Sequence, residues 1–276
     1  MENMRVFHRF TDAEIAAATG LTPDQITVAI QRWNLDQITP PPHSPGDPLR
    51  LLPYPGGRHP RIGFLDGAIR PQRETKVSIF TPWDPYAYVV VDVPEALWSH
   101  LGLTYLAHTH IPTIWDQAGN TLPPMEWTRH PDGTLSLERP LPNGIVFGSR
   151  VTATSSDVRF DLWIRNGTSE PLRDLRAQVC AMLKGAPGFT HLTSEGKILR
   201  PPYAAARAPG TDRWIILAWH PLNRAWENPP VPCLHADPAF PDCPPGDTVR
   251  AHGRLWFHEG PDLEAALKII EASGWR

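Results

Sequence analysis

The chain has 276 residues, of which 33 are Pro, 20 Gly and 11 Trp. Proline runs at more than twice its usual share of about 5%, which excludes a helical bundle or a continuous α/β alternation, because proline removes a backbone donor inside helices and central strands. The 26 basic and 29 acidic residues leave a formal charge of −3 with no block of like charge, which disfavours an electrostatic grip on nucleic acid or on an anionic membrane.

Hydrophobic residues make up 41% of the chain, enough apolar area to bury around short elements. The N-terminus lacks a continuous apolar run, and no stretch is long enough to cross a bilayer as a helix, so the expectation is a soluble, unexported, cytoplasmic protein. Three cysteines, Cys180, Cys233 and Cys243, do not make a disulfide framework. Cys233 and Cys243 are close enough in sequence to pair, although buried free thiols are the simpler expectation.

In chain order, Thr11-Asp12-Ala13-Glu14 supplies a capping box ahead of an alanine run that Gly20 can stop. Thr22-Pro23-Asp24 caps a second helix carrying Ile26, Ile30 and Trp33. The two make a helical hairpin within residues 1–38. Ala16, Gly20 and Ile26 have the spacing of helix-turn-helix DNA readers, which the run resembles. The second helix offers only Arg32 as a cation among Gln25, Thr27 and Gln31, however, and base readout needs phosphate contacts for positioning. A packing hairpin is therefore expected rather than a DNA-binding regulator. Residues 39–48, rich in proline, read as a stiff extended linker, and residues 49–276 as one β domain.

Beyond the linker the pattern has period two. Lys76–Phe80, Tyr86–Val93, Gly144–Val151, Asp157–Arg165, Leu175–Leu183, Trp214–Trp219 and Val249–Phe257 read as strands, and Pro261–Ser273 as a short C-terminal helix. In Asp157–Arg165, Val158, Phe160, Leu162 and Ile164 share one face and Arg159, Asp161, Trp163 and Arg165 the other. Short strands with regular turns predict a mainly β fold, a large antiparallel β-sandwich with the N-terminal hairpin and the closing helix attached.

Three constellations could carry chemistry. His108-Thr109-His110 places two imidazoles on one face of a strand expected over Leu103–Ile111, so both could hold one divalent metal ion with Glu126 as third ligand; His220, His235 and Asp237 are alternative third ligands. Residues 220–238 crowd His220, Trp226, Glu227 and His235 among prolines and read as an irregular loop built around a site. The third group is Arg73 with Trp83, repeated as an aromatic-plus-carboxylate pair at Trp115-Asp116; an indole can stack on a sugar ring while Arg and Asp take its hydroxyls. Glu74 is equally placed to form a structural ion pair with Arg73.

Asp161-Leu162-Trp163-Ile164-Arg165-Asn166-Gly167-Thr168-Ser169-Glu170-Pro171-Leu172 resembles a strand-and-turn phrase of the galactose-mutarotase-like (aldose epimerase-like) β-sandwiches, and Asn228-Pro229 with Pro244-Pro245-Gly246-Asp247-Thr248 resembles their closing segments. The resemblance implies a sandwich in which a histidine and a carboxylate work at an anomeric carbon: His108, His110 or His220 for the first, Glu227 for the second. Cupins carry a similar histidine pair, but Glu126 follows His110 too late for that motif, and His252 follows Pro244-Pro245-Gly246 too late. The expected function is action on a small-molecule or oligosaccharide substrate. His108, His110, Glu126, Glu227 and His220 are the candidate catalytic residues; Arg73, Trp83, Trp115, Asp116, Trp226 and His235 are the candidate substrate-binding residues. A carboxylate in such an aromatic site is expected to have a raised pKa. The rivals are a metal-dependent cupin-like oxygenase and a non-catalytic sugar-binding module.

Overall fold

The structure is a computed structural model that describes residues 1–56, 74–107 and 111–276. The strands are β1 (Leu51–Pro53), β2 (Lys76–Phe80), β3 (Tyr88–Ser99), β4 (Gly102–Leu106), β5 (Thr128–Arg129), β6 (Leu135–Pro140), β7 (Val146–Ala153) and β8 (Asp157–Arg165). They continue as β9 (Arg176–Met182), β10 (Lys197–Arg200), β11 (Tyr203–Arg207), β12 (Arg213–His220), β13 (Leu222–Trp226), β14 (Cys233–Pro238) and β15 (Thr248–Glu259). The helices are α1 (Asp12–Thr19), α2 (Pro23–Arg32), α3 (Ile114–Gln117) and α4 (Leu263–Ala272).

Two antiparallel sheets form a sandwich. The seven-stranded sheet runs β1-β2-β3-β9-β14-β13, with β4 also on β3; the eight-stranded sheet runs β10-β11-β12-β15-β8-β7-β6-β5. Alternation along β8 follows the sequence pattern: Val158, Phe160, Leu162 and Ile164 are buried, while Arg159 and Arg165 are exposed. The faces that meet are apolar on both sides, with Val77, Val91, Ala181 and Leu234 from one sheet and Phe160, Leu162, Leu217 and Leu255 from the other in one core. Trp219 lies fully buried and stacked on Phe160 with ring centroids 5.8 Å apart. Gly253, its cross-strand partner, leaves the space it needs, since a Cβ there would sit 2.3 Å from the indole.

The hairpin closes the outer face of the seven-stranded sheet. The predicted capping box of Thr11 with Glu14 forms, Thr22 caps α2 as expected and also makes a box with Gln25, and Gly20 ends α1 in the left-handed region at φ 73°. Ile15, Ala18, Ile26 and Ile30 pack with Val90, Cys180, Met182 and Cys233 of the sheet. Arg5 ties the ends of the hairpin to each other through Asp12 at 3.1 Å and Asp36 at 2.7 Å. On the opposite side of the molecule, Leu263, Leu267 and Ile270 of α4 pack with Ile216 and Trp256 on the outer face of the eight-stranded sheet. The order of layers is hairpin, sheet, sheet, helix. No helix among the described residues is long and apolar enough to cross a membrane.

Three sequence expectations are corrected. The strand expected over Leu103–Ile111 is β4 and ends at Leu106, with Ile111 exposed. The strand expected to stop at Val93 continues as β3 to Ser99, and Pro94 is accommodated where the pairing with β9 shifts between Asp92 and Ala96. Residues 220–238 are not an irregular loop: Leu222–Trp226 and Cys233–Pro238 pair as a hairpin with a register shift between Leu222 and Arg224. The prolines fall outside the paired stretches or at the strand end, where no ladder donor is lost.

Candidate functional site

Because paired residues on neighbouring strands project to the same side, the register defines a row across the outer face of the seven-stranded sheet. It runs Lys76 on β2, Asp92 on β3, Cys180 on β9, His235 on β14 and Trp226 on β13. The first four are buried. Lys76 Nζ lies 3.6 Å from Asp92 Oδ1. Gln178, two residues before Cys180, donates to Glu95 Oε2 at 2.7 Å. Asp237, two residues beyond His235, accepts from the Val179 amide at 3.0 Å, Arg224 Nε at 2.8 Å and the Trp226 indole at 2.7 Å.

The imidazole of His235 is held flat against Trp226, with ring centroids 3.9 Å apart and planes at 16°. Its Nε2 lies 3.4 Å from Cys233 Sγ, and its Nδ1 stands 4.0 Å from Asp237 Oδ1, beyond hydrogen-bond range. The Cys233 thiol is pulled down to about 5, first by the hydrogen bond from Cys180 and then by His235. Burial pulls His235 down, but the bond to Cys233 and its charge outweigh this, so the histidine is raised overall. The two shifts have one cause, the contact between Cys233 Sγ and His235 Nε2. Cys180 moves well above the usual thiol range through burial and the same hydrogen bond. Asp237 is also raised, by burial, with the His235 charge and its three donors opposing.

Glu227, directly after β13, lies 3.1 Å from Lys197 Nζ, and both side chains are largely buried. Lys197 comes from the edge strand β10 of the other sheet, so this ion pair joins the two sheets at their margin. Arg224 stands over the Trp226 ring at 4.7 Å and is half exposed. The β13 edge is thus where the buried row reaches solvent.

The structure separates the remaining predicted residues. Arg73, His108 and His110 lie outside the described residues. Glu126 is exposed in a cleft of about 340 Å³ with Asn3, Tyr54 and Arg129, and its neighbour Trp127 donates to the Lys76 carbonyl at 3.0 Å. That places Glu126 at the β2 end of the row, across the sheet from Glu227. His220 is exposed at the end of β12, opposite His252. Trp83 stacks on Phe189 at 5.9 Å, meets the edge of Phe257 and carries the Arg213 guanidinium at 5.3 Å, beside a small cleft of about 150 Å³. Trp115 is buried and donates to the Thr104 carbonyl at 2.7 Å. Asp116 caps α3 by accepting from the Thr113 amide and hydroxyl. Glu74 is paired with Arg139 and accepts from the Tyr105 hydroxyl at 2.9 Å.

Cys180, Cys233, Asp92 and Glu95 escaped the sequence reading. The signal existed in Cys233-Leu234-His235-Ala236-Asp237, where period two puts three reactive groups on one side; reading the segment as a loop hid it. All three cysteines are free and buried, and Cys233 has Cys180 beside it rather than Cys243. The Cys243 thiol points to the Asp247 carbonyl at 3.3 Å.

No family model matches the sequence, and comparison with curated proteins finds no match. Among solved structures, the chain is similar to a protein described as a kojibiose phosphorylase from the human microbiome, with a TM-score of 0.36 and 5% identity over 52% of this chain and 20% of that one. It is also similar to a protein of Synechocystis sp. PCC 6803, with a TM-score of 0.37 and 10% identity over 67% of this chain and 88% of that one. The chain spans about a fifth of the length of the phosphorylase. Likenesses at these scores carry no argument about activity; the site itself has to supply it.

Proposed function

We propose that the protein is an enzyme acting on a saccharide at the β13 edge of the seven-stranded sheet, with Glu227 as general base. The observation that carries this reading is the buried row Lys76, Asp92, Cys180, His235 with Asp237 and Glu95 beside it. Folding does not call for such groups: burying ions costs several kcal/mol each unless they are well paired, and apolar residues of equal volume serve stability as well or better. Buried groups with shifted pKa values, here Cys180, His235 and Asp237, are frequent at functional sites.

The saccharide class follows from what the row presents at its β13 end. A half-exposed guanidinium over an indole rim stands at Arg224 and Trp226, and the Glu227 carboxylate follows directly at the end of β13; groups of this kind grip ring C–H faces and hydroxyls. His235 already occupies one face of Trp226, so a sugar would meet the rim of this indole rather than an open platform. Glu227 is the carboxylate at this edge and is assigned the role of accepting a proton from a hydroxyl. His108 and His110, with Glu126 as third ligand, are retained from the sequence as candidate holders of a divalent metal, and in the galactose-mutarotase-like resemblance as candidate acid groups.

The test is a screen of mono- and oligosaccharides by proton NMR for anomeric interconversion, hydrolysis or elimination. At least one sugar class is expected to turn over, with the rate falling at least about 100-fold in Glu227→Gln. A wild-type protein that alters no sugar, or a Glu227→Gln variant with undiminished rate, would overturn the reading.

A further inference from the structure

Two strands of the seven-stranded sheet hold a block of sulfur and imidazole donors, part of the buried row, to which the saccharide reading assigns no chemical step. Cys180 and Met182 alternate along β9, Cys233 and His235 along β14, and the register pairs Cys180 with His235 and Met182 with Cys233. All four are buried under the N-terminal hairpin or the β13 edge. One ligand atom each from Cys180, Cys233 and His235 lies within 4.8 Å of the other two. From this geometry we propose that Cys180, Cys233 and His235 form a closed binding site for a thiophilic d10 cation, Cu(I) or Zn(II).

The dimensions fit. With metal–sulfur and metal–nitrogen bonds of about 2.3 and 2.05 Å at a near-tetrahedral angle, a sulfur and a nitrogen on one ion stand about 3.6 Å apart. Cys233 Sγ and His235 Nε2 already stand at 3.4 Å. Orientation is fixed in advance, since Trp226 holds the imidazole plane and the ladder fixes both thiols. The donor chemistry selects the ion: thiolates and imidazole, with a thioether on the same face, favour soft cations over Mg2+ or Ca2+, which take oxygen.

The proton balance is defined. Loading the site requires Cys180 and Cys233 as thiolates and an unprotonated ring nitrogen on His235; each of the three donates a lone pair to the ion, any proton they carry leaves to solvent, and no oxidation state changes. Glu95, held by Gln178, lies on the same side of the sheet as an outer carboxylate.

This site shares no residue with the His108, His110 and Glu126 set, and its test separates them. Reduced full-length protein is titrated anaerobically with Cu(I) against a chromophoric chelator, and in a second arm with Zn(II) displacing Co(II). The expected result is saturable uptake at one ion per chain with thiolate-to-metal charge-transfer absorption, which only sulfur ligands give. Cys180→Ser and Cys233→Ser should each reduce that absorption and weaken binding at least about 100-fold, and the double variant should lose the absorption, while a His108→Ala, His110→Ala variant keeps both. Far-ultraviolet circular dichroism and thermal unfolding of the metal-free variants check that the fold persists, and His235→Gln provides a second route should either serine variant unfold. Absence of charge-transfer absorption in the reduced wild type with both Cu(I) and Co(II), or its persistence in the double cysteine variant, would overturn the proposal. Sugar turnover by the metal-free protein is a separate readout, so failure of either reading leaves the other standing.

Discussion

The two faces of the seven-stranded sheet are built from the same strands and carry opposite chemistry. One residue apart, the inward row reads Val77, Val91, Ala181 and Leu234, and the outward row Lys76, Asp92, Cys180 and His235. Both rows are buried, the first against the second sheet and the second beneath the hairpin and the β13 edge. An ordinary sheet with one solvated face alternates buried apolar with exposed polar residues. Here the polar face is buried as well, so its charges must be satisfied by one another, and exchanging a residue between the rows should have very different costs.

The largest expected effect comes from moving a carboxylate by one position. Val91→Asp places an unpaired charge in the apolar core and should cost at least about 4 kcal/mol, which a denaturant midpoint would register as loss of most of the fold's stability. If Val91→Asp were tolerated, the contrast between the faces would collapse. Breaking the outer row from within should come next. Lys76→Met removes the ammonium from beside the buried Asp92 and should cost roughly 3–5 kcal/mol, whereas the double change Lys76→Met with Asp92→Leu should recover much of that loss. Equal losses in the single and double variants would show that the pair is not coupled.

The third prediction uses pH. His8 is held neutral under the hairpin, its Nδ1–H donating to the Asn3 carbonyl and its Nε2 accepting from the Ser78 hydroxyl at 2.7 Å. Burial pulls its pKa down from 6.5 to about 3, against the bond to Asn3. The unfolded chain therefore takes up the proton first, and this contribution is complete above pH 6.5 and lost as pH falls toward 3. By pH 4 the loss should reach about 3 kcal/mol. Proteolysis of the hairpin is expected to accelerate between pH 6.5 and 4 in wild type and to lose much of that pH dependence in His8→Phe. An identical acid response in the variant would assign the effect to other groups.

The smallest effect belongs to the exposed surface of the other sheet. Arg165 and Glu138 approach to 3.8 Å with both side chains about half exposed, and Arg165→Ala should change stability by less than about 0.5 kcal/mol. A larger shift in thermal unfolding would mean that outward-facing charges matter here even without burial, which would blur the distinction between the faces.

The legibility of the chain follows the same division. β8 was readable to the residue because its outer side faces water, so Arg159, Asp161 and Arg165 alternate with the buried run. The helical hairpin was readable because both capping boxes are local hydrogen bonds between residues three apart. β14 was not readable. Both its faces are buried, so Cys233-Leu234-His235-Ala236-Asp237 shows no polar–apolar alternation of the usual kind, and the prolines around it suggested a loop. An indole beside a carboxylate has the same composition whether it grips a ligand or packs on neighbours, and only the structure shows Trp115 on the Thr104 carbonyl, Asp116 on the Thr113 hydroxyl and Trp83 on Phe189.

What the sequence determined by itself is what short-range chemistry controls: helix caps, period-two strands, the proline breaks between them and hence a mainly antiparallel β fold. Which ionisable groups meet was decided by the tertiary structure. Lys76 and His235 are separated by most of the chain, and only the order β2-β3-β9-β14 and its register bring them into one row. Strand order is fixed by which apolar faces bury together, a non-local property of the whole chain. The charged row is built on the back of that arrangement, one residue out of phase with it.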